Sequence, residues 1–368
     1  MSKITSIATA LPAYRHQQQD IMHFMQNVYA LNDVEKRKLK YLYAHSGIET
    51  RYSAIEDYGL SAADWSFYPA SENLQPFPSL EKRMEWYNKT ACPLSVQSIE
   101  KCITDKIAKC EITHLITVSC TGMSAPGLDL QIVEEMDLAV NIFRTSLNFM
   151  GCYGAVHALK LADAICISNT AAKVVVVCTE LCTLHFQNES NADNIASSLL
   201  FSDGSAALLI TSNENALPGL TIQNFYSEIC YRGKKDMSWE LSSKGFLMTL
   251  SGYVPELIEE DFDQLFKNAL QDGNIKKDEI THWCVHPGGK RILSAIQKSI
   301  DITPEALQPS YDVLRDYGNM SSPTILFVLE KIAEQLKETP KESANIFGAA
   351  FGPGLTMETF ILSNEPSA

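Results

Sequence analysis

The stretch 148-NFMGCYGAVHALKLADA-164 sets a cysteine between a glycine and a run in which Ala155, Ala158, Leu159 and Ala162 recur at helical spacing. The pattern predicts a helix from Cys152, with the thiol at its amino end, where unpaired backbone N–H groups and the helix dipole favour an anion. Two readings are open there: a nucleophile with a lowered pKa, or a small buried hydrophobe.

Outward from this stretch the chain alternates between two periodicities. 112-ITHLITVSC-120 predicts a strand, 126-PGLDLQIVEEM-136 a helix and 172-AKVVVVCTE-180 a strand. 200-LFSDGSAALLIT-211 predicts a turn at Asp203-Gly204 and then an apolar strand, and the amino terminus alternates like a strand. Near 213-NENALPGL-220 the composition turns polar, a plausible midpoint between halves 1–217 and 218–368. The second half predicts a helix over 255–272, a strand at 282-HWCVHP-287, helices from Gly289 and Asn319, and two strands around Gly352. The fold class is α/β, with two pseudo-repeated halves. Residues 57–80, rich in proline and aromatics, read as a long surface loop.

Composition narrows the function. The 368 residues are 45% hydrophobic and 20% charged, an ordinary globular balance, and the net charge of −14 argues against nucleic acid. No apolar run has the length of a membrane span, and no signal peptide is evident. Ten scattered cysteines without a metal-ligand framework point to a reducing cytoplasm. One basic run, 35-EKRKLKYLYAHSGIETR-51, clusters Lys36, Arg37, Lys38 and Lys40; it reads either as a solvated helix face or as a local site for a phosphorylated ligand.

Two further segments carry chemistry. In 281-THWCVHPGGKRIL-293, His286 closes an apolar strand and precedes a Pro-Gly-Gly turn that would expose its imidazole. In 315-RDYGNMSSPTIL-326, Asn319 follows Gly318 at a helix start, where a plain N-cap is the alternative. A thiol, an imidazole and a carboxamide together can load an acyl group and stabilise an oxyanion.

These segments, with 173-KVVVVCTEL-181, 199-LLFSDGSAALLI-210, 316-DYGNMSSPTILFVLEKI-332 and 348-GAAFGPGLTMETF-360, resemble the ordered signature of chalcone-synthase-like type III polyketide synthases. The resemblance implies a five-layered αβαβα thiolase-like fold and a homodimer. It also implies malonyl-CoA and an acyl-CoA starter as substrates, with no metal or organic cofactor. By motif, Cys152 resembles the acyl-accepting nucleophile, ionised by pairing with His286, while His286 and Asn319 resemble the holders of the malonyl thioester oxygen. Phe201 matches a gating aromatic, and Met248 stands where plant members have a second gating phenylalanine. Cys120, Thr121, Cys182, His185, Trp239 and Ser321 match cavity positions. Ala125 replaces a methionine that reaches the partner's cavity, as in bacterial members. Glu180 reads as a buried hydrogen-bonded carboxylate, and Gly352, Pro353 and Gly354 as scaffold. Lys38 matches a lysine for CoA phosphates; Tyr41 and His45 occupy the next basic positions, with Lys290 and Arg291 as substitutes.

The expected reaction is iterative condensation of malonyl-CoA onto an aliphatic starter, which the flexible Met248 favours over an aromatic one. Cyclisation would give an alkylpyrone, alkylresorcinol or acylphloroglucinol. A single-round 3-oxoacyl condensing enzyme is the alternative, against which HPGG and GNMSS weigh; a catalytically silent scaffold is the third reading.

Overall fold

The computed structural model describes residues 1–71, 74–215, 217–338 and 343–364. Residues 72–73 of the expected loop and Ala216 of the polar stretch lie outside these. The strands are β1 (Ser2–Ala10), β2 (Tyr14–Gln17), β3 (Thr50–Ser53), β4 (His114–Ser119), β5 (Phe143–Asn148), β6 (Lys173–Leu181), β7 (Asp203–Ser212), β8 (Leu220–Ile229), β9 (Met237–Ser242), β10 (Gly245–Leu250), β11 (His282–Val285), β12 (Ala344–Gly352) and β13 (Thr356–Asn364). The helices are α1 (Gln18–Val28), α2 (Asp33–Ala44), α3 (Leu80–Ile103), α4 (Leu128–Glu135), α5 (Gly154–Ser168), α6 (Ala192–Leu200), α7 (Val254–Asp272), α8 (Lys290–Ile300), α9 (Gln308–Tyr317) and α10 (Thr324–Glu338).

Nine strands share one sheet in the order β11-β12-β13-β8-β1-β7-β6-β4-β5. The repeat lies in the pairing. β4 runs parallel to β6, β6 antiparallel to β7, and β7 antiparallel to β1; β11, β12, β13 and β8 repeat that sequence of directions. The two halves meet where β1 pairs with β8, through Lys3 with Thr221 and Ile4 with Leu220.

Runs such as Val174–Cys178 are apolar without alternation because both sheet faces are covered. α5 packs on β4, β6 and β7 of one half and β13 of the other, while α10 packs on β11 and on β1 and β7. These two helices form the middle layer. Ala155, Ala158, Leu159 and Ala162 are fully buried there, and small side chains let the helix lie close to strands on both sides. α3 covers the outer face of the first half, and α7 with α8 that of the second. Three apolar clusters fill the resulting interfaces. The layering is that of the thiolase-like fold.

The expected turn at Asp203-Gly204 is instead the start of β7. Glycine is required at 204 for close approach, since a Cβ there would meet Met320 Sδ at 2.5 Å. The 57–80 segment does not simply wrap the surface. The Asp57 carboxylate accepts hydrogen bonds from the backbones of Ser66, Phe67 and Tyr68, and those two aromatics are buried.

Candidate active site

Cys152 sits in the turn between β5 and α5; the helix starts at Gly154, two residues later than the spacing predicts. The turn is built by Gly151, whose φ of 79° lies in the left-handed region, and a Cβ there would come within 2.3 Å of Pro353 Cδ. Pro353, after β12, therefore presses directly on the cysteine's turn. On the other side Gly151 donates its N–H to Cys120 Sγ at 3.0 Å.

His286 and Asn319 come from the second half. The backbone N–H of His286 donates to Ala349 O at 2.8 Å, extending the β11–β12 pairing by one residue. The expected helix from Asn319 begins only at Thr324, so Asn319 is not its N-cap. Gly318 and Ser321, with φ of 71° and 61°, break the helical path between them. Asn319 Oδ1 accepts from the Ser321 N–H at 2.8 Å and the Thr324 hydroxyl at 3.4 Å, and Nδ2 donates to Gly288 O at 3.3 Å. This fixes the amide with its donors toward Gly288, the residue two beyond His286. One Nδ2 hydrogen remains for a ligand.

Burial works against the ion pair expected. Burial pushes the Cys152 thiol up to about 11, only partly countered by Ser321 and Asn319, and the Glu180 charge adds to the rise. Burial pushes His286 down to about 3. Neither ring nitrogen of His286 has a hydrogen-bond partner among the described residues. The histidine is 1% exposed rather than presented at the surface by its Pro-Gly-Gly turn, and the cysteine is 8% exposed. Burial therefore favours the neutral thiol and the neutral imidazole. Such an imidazole can take the thiol proton during attack, and its N–H can serve an oxyanion afterwards.

Glu180 is the buried carboxylate expected. It accepts from Cys120 N–H, the Thr121 hydroxyl and the Ser322 hydroxyl at 2.7–2.8 Å. Burial outweighs these donors and raises its pKa to about 7.

A cavity opens at Cys152 and is lined by Cys120, Thr121, Cys182, Phe201, Trp239, Met248 and Ser321. The cavity positions from the sequence are thus brought together. His185 lies in an adjoining chamber that shares Cys182, Phe201, Trp239 and Met248. Phe201 forms a parallel β-bridge with Asn319. Trp239 and Met248 are directly paired across the β9–β10 hairpin, so both side chains leave the same face, and the Trp239 indole N–H donates to Cys120 O at 2.7 Å. Met237, which also lines the cavity, was not singled out from sequence; its spacing of two from Trp239 is the signal that could have found it.

His185 donates from Nε2 to Thr121 O at 2.8 Å and accepts the Phe246 N–H on Nδ1 at 3.2 Å. Its ring stacks on Phe246 at 4.3 Å, and burial lowers its pKa to about 3.

The basic residues lie on the surface. Lys36, Arg37, Lys38 and Lys40 are exposed on α2 and form no ion pair among the described residues. Lys290 opens α8 with its aliphatic stem against Gly47, just beyond α2. Arg291 is paired with Glu256 at 2.6 Å on the surface. The Tyr41 and His45 rings stack at 4.0 Å. Ala125 is exposed and precedes a cis proline. Among the described residues no group of three or more His, Cys, Asp or Glu could hold a metal ion, and no helix is long and apolar enough to cross a membrane.

The family models for the N-terminal and C-terminal domains of chalcone and stilbene synthases match residues 1–214 and 221–366. Type III polyketide synthase C of Arabidopsis thaliana is 28% identical over 98% of this chain and 94% of its own. The alpha-pyrone synthesis polyketide synthase-like Pks18 of Mycobacterium tuberculosis is 29% identical over 96% of this chain and 89% of its own. The crystal structure of PKS-I from the brown alga Ectocarpus siliculosus superposes with a TM-score of 0.92 at 26% identity, covering 99% of this chain and 98% of that one. The chain belongs to the chalcone and stilbene synthase family. It is a type III polyketide synthase, an acyltransferase of thiolase-like fold.

Proposed function

We propose that the enzyme loads an aliphatic acyl group from its CoA thioester onto Cys152, extends it with malonyl units, and releases a cyclised alkylpyrone, alkylresorcinol or acylphloroglucinol. His286 and Asn319 hold the malonyl thioester oxygen. Loss of carbon dioxide leaves an enolate whose charge is met by an imidazole N–H and an amide N–H, both neutral donors in a water-poor site. The enolate carbon then attacks the Cys152 thioester and frees the thiol for the next round. Glu180, buried behind Cys120 and Thr121, raises the thiol's pKa and fixes the strand end from which the cavity wall starts.

The observation that carries the aliphatic preference is the Met248–Trp239 pair at the cavity. Methionine offers an unbranched, adaptable wall with no flat face for stacking a phenylpropanoid ring, and the indole takes up volume beside it. The name of the mycobacterial relative supports a pyrone among the products. CoA phosphates would be met by Lys38 and its α2 neighbours with Lys290.

A homodimer would place β5 against a second copy. Among the described residues that strand pairs only with β4, and Val140, Phe143 and Met123 around it are exposed, which gives an unpaired edge with an apolar rim. The reaction would need no metal or redox cofactor, and activity should be indifferent to EDTA.

Competition of hexanoyl-CoA against coumaroyl-CoA at equal concentration, with malonyl-CoA and mass spectrometry of products, tests the reading. A higher specificity constant for hexanoyl-CoA is expected. A higher one for the aromatic starter would overturn the assigned role of Met248.

A further inference from the structure

Beyond Met248 and Trp239 lies a second, small chamber whose far wall is polar, formed by Gln187, Asn194 and Ser197. The hydrogen bonds these residues make are all of one kind. Gln187 Nε2 donates to His185 O at 2.8 Å and to Lys244 O at 3.3 Å. Asn194 Nδ2 donates to Glu189 O at 2.9 Å. The Ser197 hydroxyl donates to Asp193 O at 2.8 Å. Because each partner is a backbone carbonyl, both amide orientations are determined, and the oxygens Gln187 Oε1 and Asn194 Oδ1 receive no donor among the described residues. His185, the remaining polar lining group, has both nitrogens engaged and is neutral.

We infer that this chamber receives a hydroxyl group at the distal end of the starter's acyl chain. The inference rests on the polyketide synthase reading above, with the acyl group attached to Cys152. The wall presents acceptors and almost no free donors, so hydrocarbon filling it would strip three oxygens of water with nothing in return. A carboxylate finds no cation there, and the single Asn194 Nδ2 hydrogen left over does not offset the cost of burying its charge. An ammonium would lose its hydration to uncharged acceptors alone, a poor exchange for a full charge. A neutral hydroxyl both donates to one of the oxygens and crosses the apolar throat at modest cost.

The test uses the full chain with malonyl-CoA and three sets of starters of matched length: alkyl, ω-hydroxyalkyl and ω-carboxyalkyl CoA thioesters. The ω-hydroxy series is expected to exceed the alkyl series by about tenfold in kcat/KM at the best length, the scale of one hydrogen bond made in an enclosed site, with the ω-carboxy series lowest. Ser197→Ala, which barely changes volume, and Asn194→Leu should each shrink the hydroxyl advantage to about threefold or less; thermal midpoints report whether each variant is folded. Alkyl starters turned over with no hydroxyl advantage would overturn this inference and leave the polyketide synthase reading standing. Absence of condensation product from every starter would overturn both.

Discussion

The backbone of Phe201 is bridged to that of Asn319, so the cavity-lining aromatic and the Asn319 carboxamide are set by one pair of hydrogen bonds: Asn319 N–H to Leu200 O and Ser202 N–H to Asn319 O, each 2.9 Å. The fully buried Arg51 completes the joint, donating to Phe201 O at 2.7 Å while its stem packs under Gly318. Phe201 and Asn319 therefore hang from one hydrogen-bonded joint.

Asn319→Ala should lower malonyl-CoA decarboxylation about 10²-fold, the scale for losing one oxyanion donor. Asn319→Asp is expected to be at least as poor, because it keeps the acceptor for Ser321 N–H and Thr324 but replaces the donor with a charge that repels the enolate. Release of labelled carbon dioxide measures both. An aspartate variant as active as the parent would remove Asn319 from the donor role. His286→Ala should match the alanine variant.

The neutral thiol and imidazole predict a pH dependence. With the Cys152 thiol pushed up to about 11 and His286 down to about 3, the thiolate fraction rises roughly tenfold per pH unit through neutrality. Inactivation of the free enzyme by iodoacetamide should therefore keep accelerating from pH 7 to beyond pH 9. A rate already level between about pH 6 and 8 would show a preformed thiolate–imidazolium pair instead.

Trp239→Gly should lengthen the products. Removing the indole widens the passage between the two chambers and takes away the hydrogen bond to Cys120 O, so products with additional malonyl units are expected, at a stability cost of about 1–3 kcal/mol. Mass spectrometry and thermal unfolding read the two effects. An unchanged product length would place the size limit elsewhere than at Trp239.

His185 is buried neutral, with its folded pKa depressed below the unfolded value of 6.5 to about 3. Below pH 6.5 the unfolded chain binds a proton that the folded chain does not, so His185 makes stability fall as pH drops from 6.5 toward 3, by at most about 1.4 kcal/mol per pH unit. His185→Gln should flatten that part of the urea-midpoint profile by this amount. Parallel profiles for parent and variant would mean that the ring is protonated in the fold.

The three chemical side chains and the alternation of strands and helices could be read from sequence because each rests on local pattern: small residues at helical spacing after Cys152, unbroken apolar runs in β6 and β7, glycine before Asn319. What could not be read depends on non-local packing. Nothing in 281-THWCVHPGGKRIL-293 says that Ala349 lies alongside and the imidazole is sealed in, so His286 is buried where its turn predicts exposure. Asn319 looked like an N-cap because glycine and asparagine often open helices; the positive φ at Ser321, a residue with no marked preference for it, delays the helix to Thr324. Gln187, Asn194 and Ser197 drew no notice, since polar residues in and before a short helix read as solvated until β10 is packed against them.

The division of labour between Cys152 and the His286–Asn319 pair is tested most directly by giving Cys152→Ala labelled malonyl-CoA with an acyl-CoA starter. Decarboxylation should persist, because the enolate is stabilised by side chains from β11's end and the segment before α10, while starter loading and polyketide formation vanish. A folded Cys152→Ala protein that no longer decarboxylates malonyl-CoA, or that still makes polyketide, would contradict it.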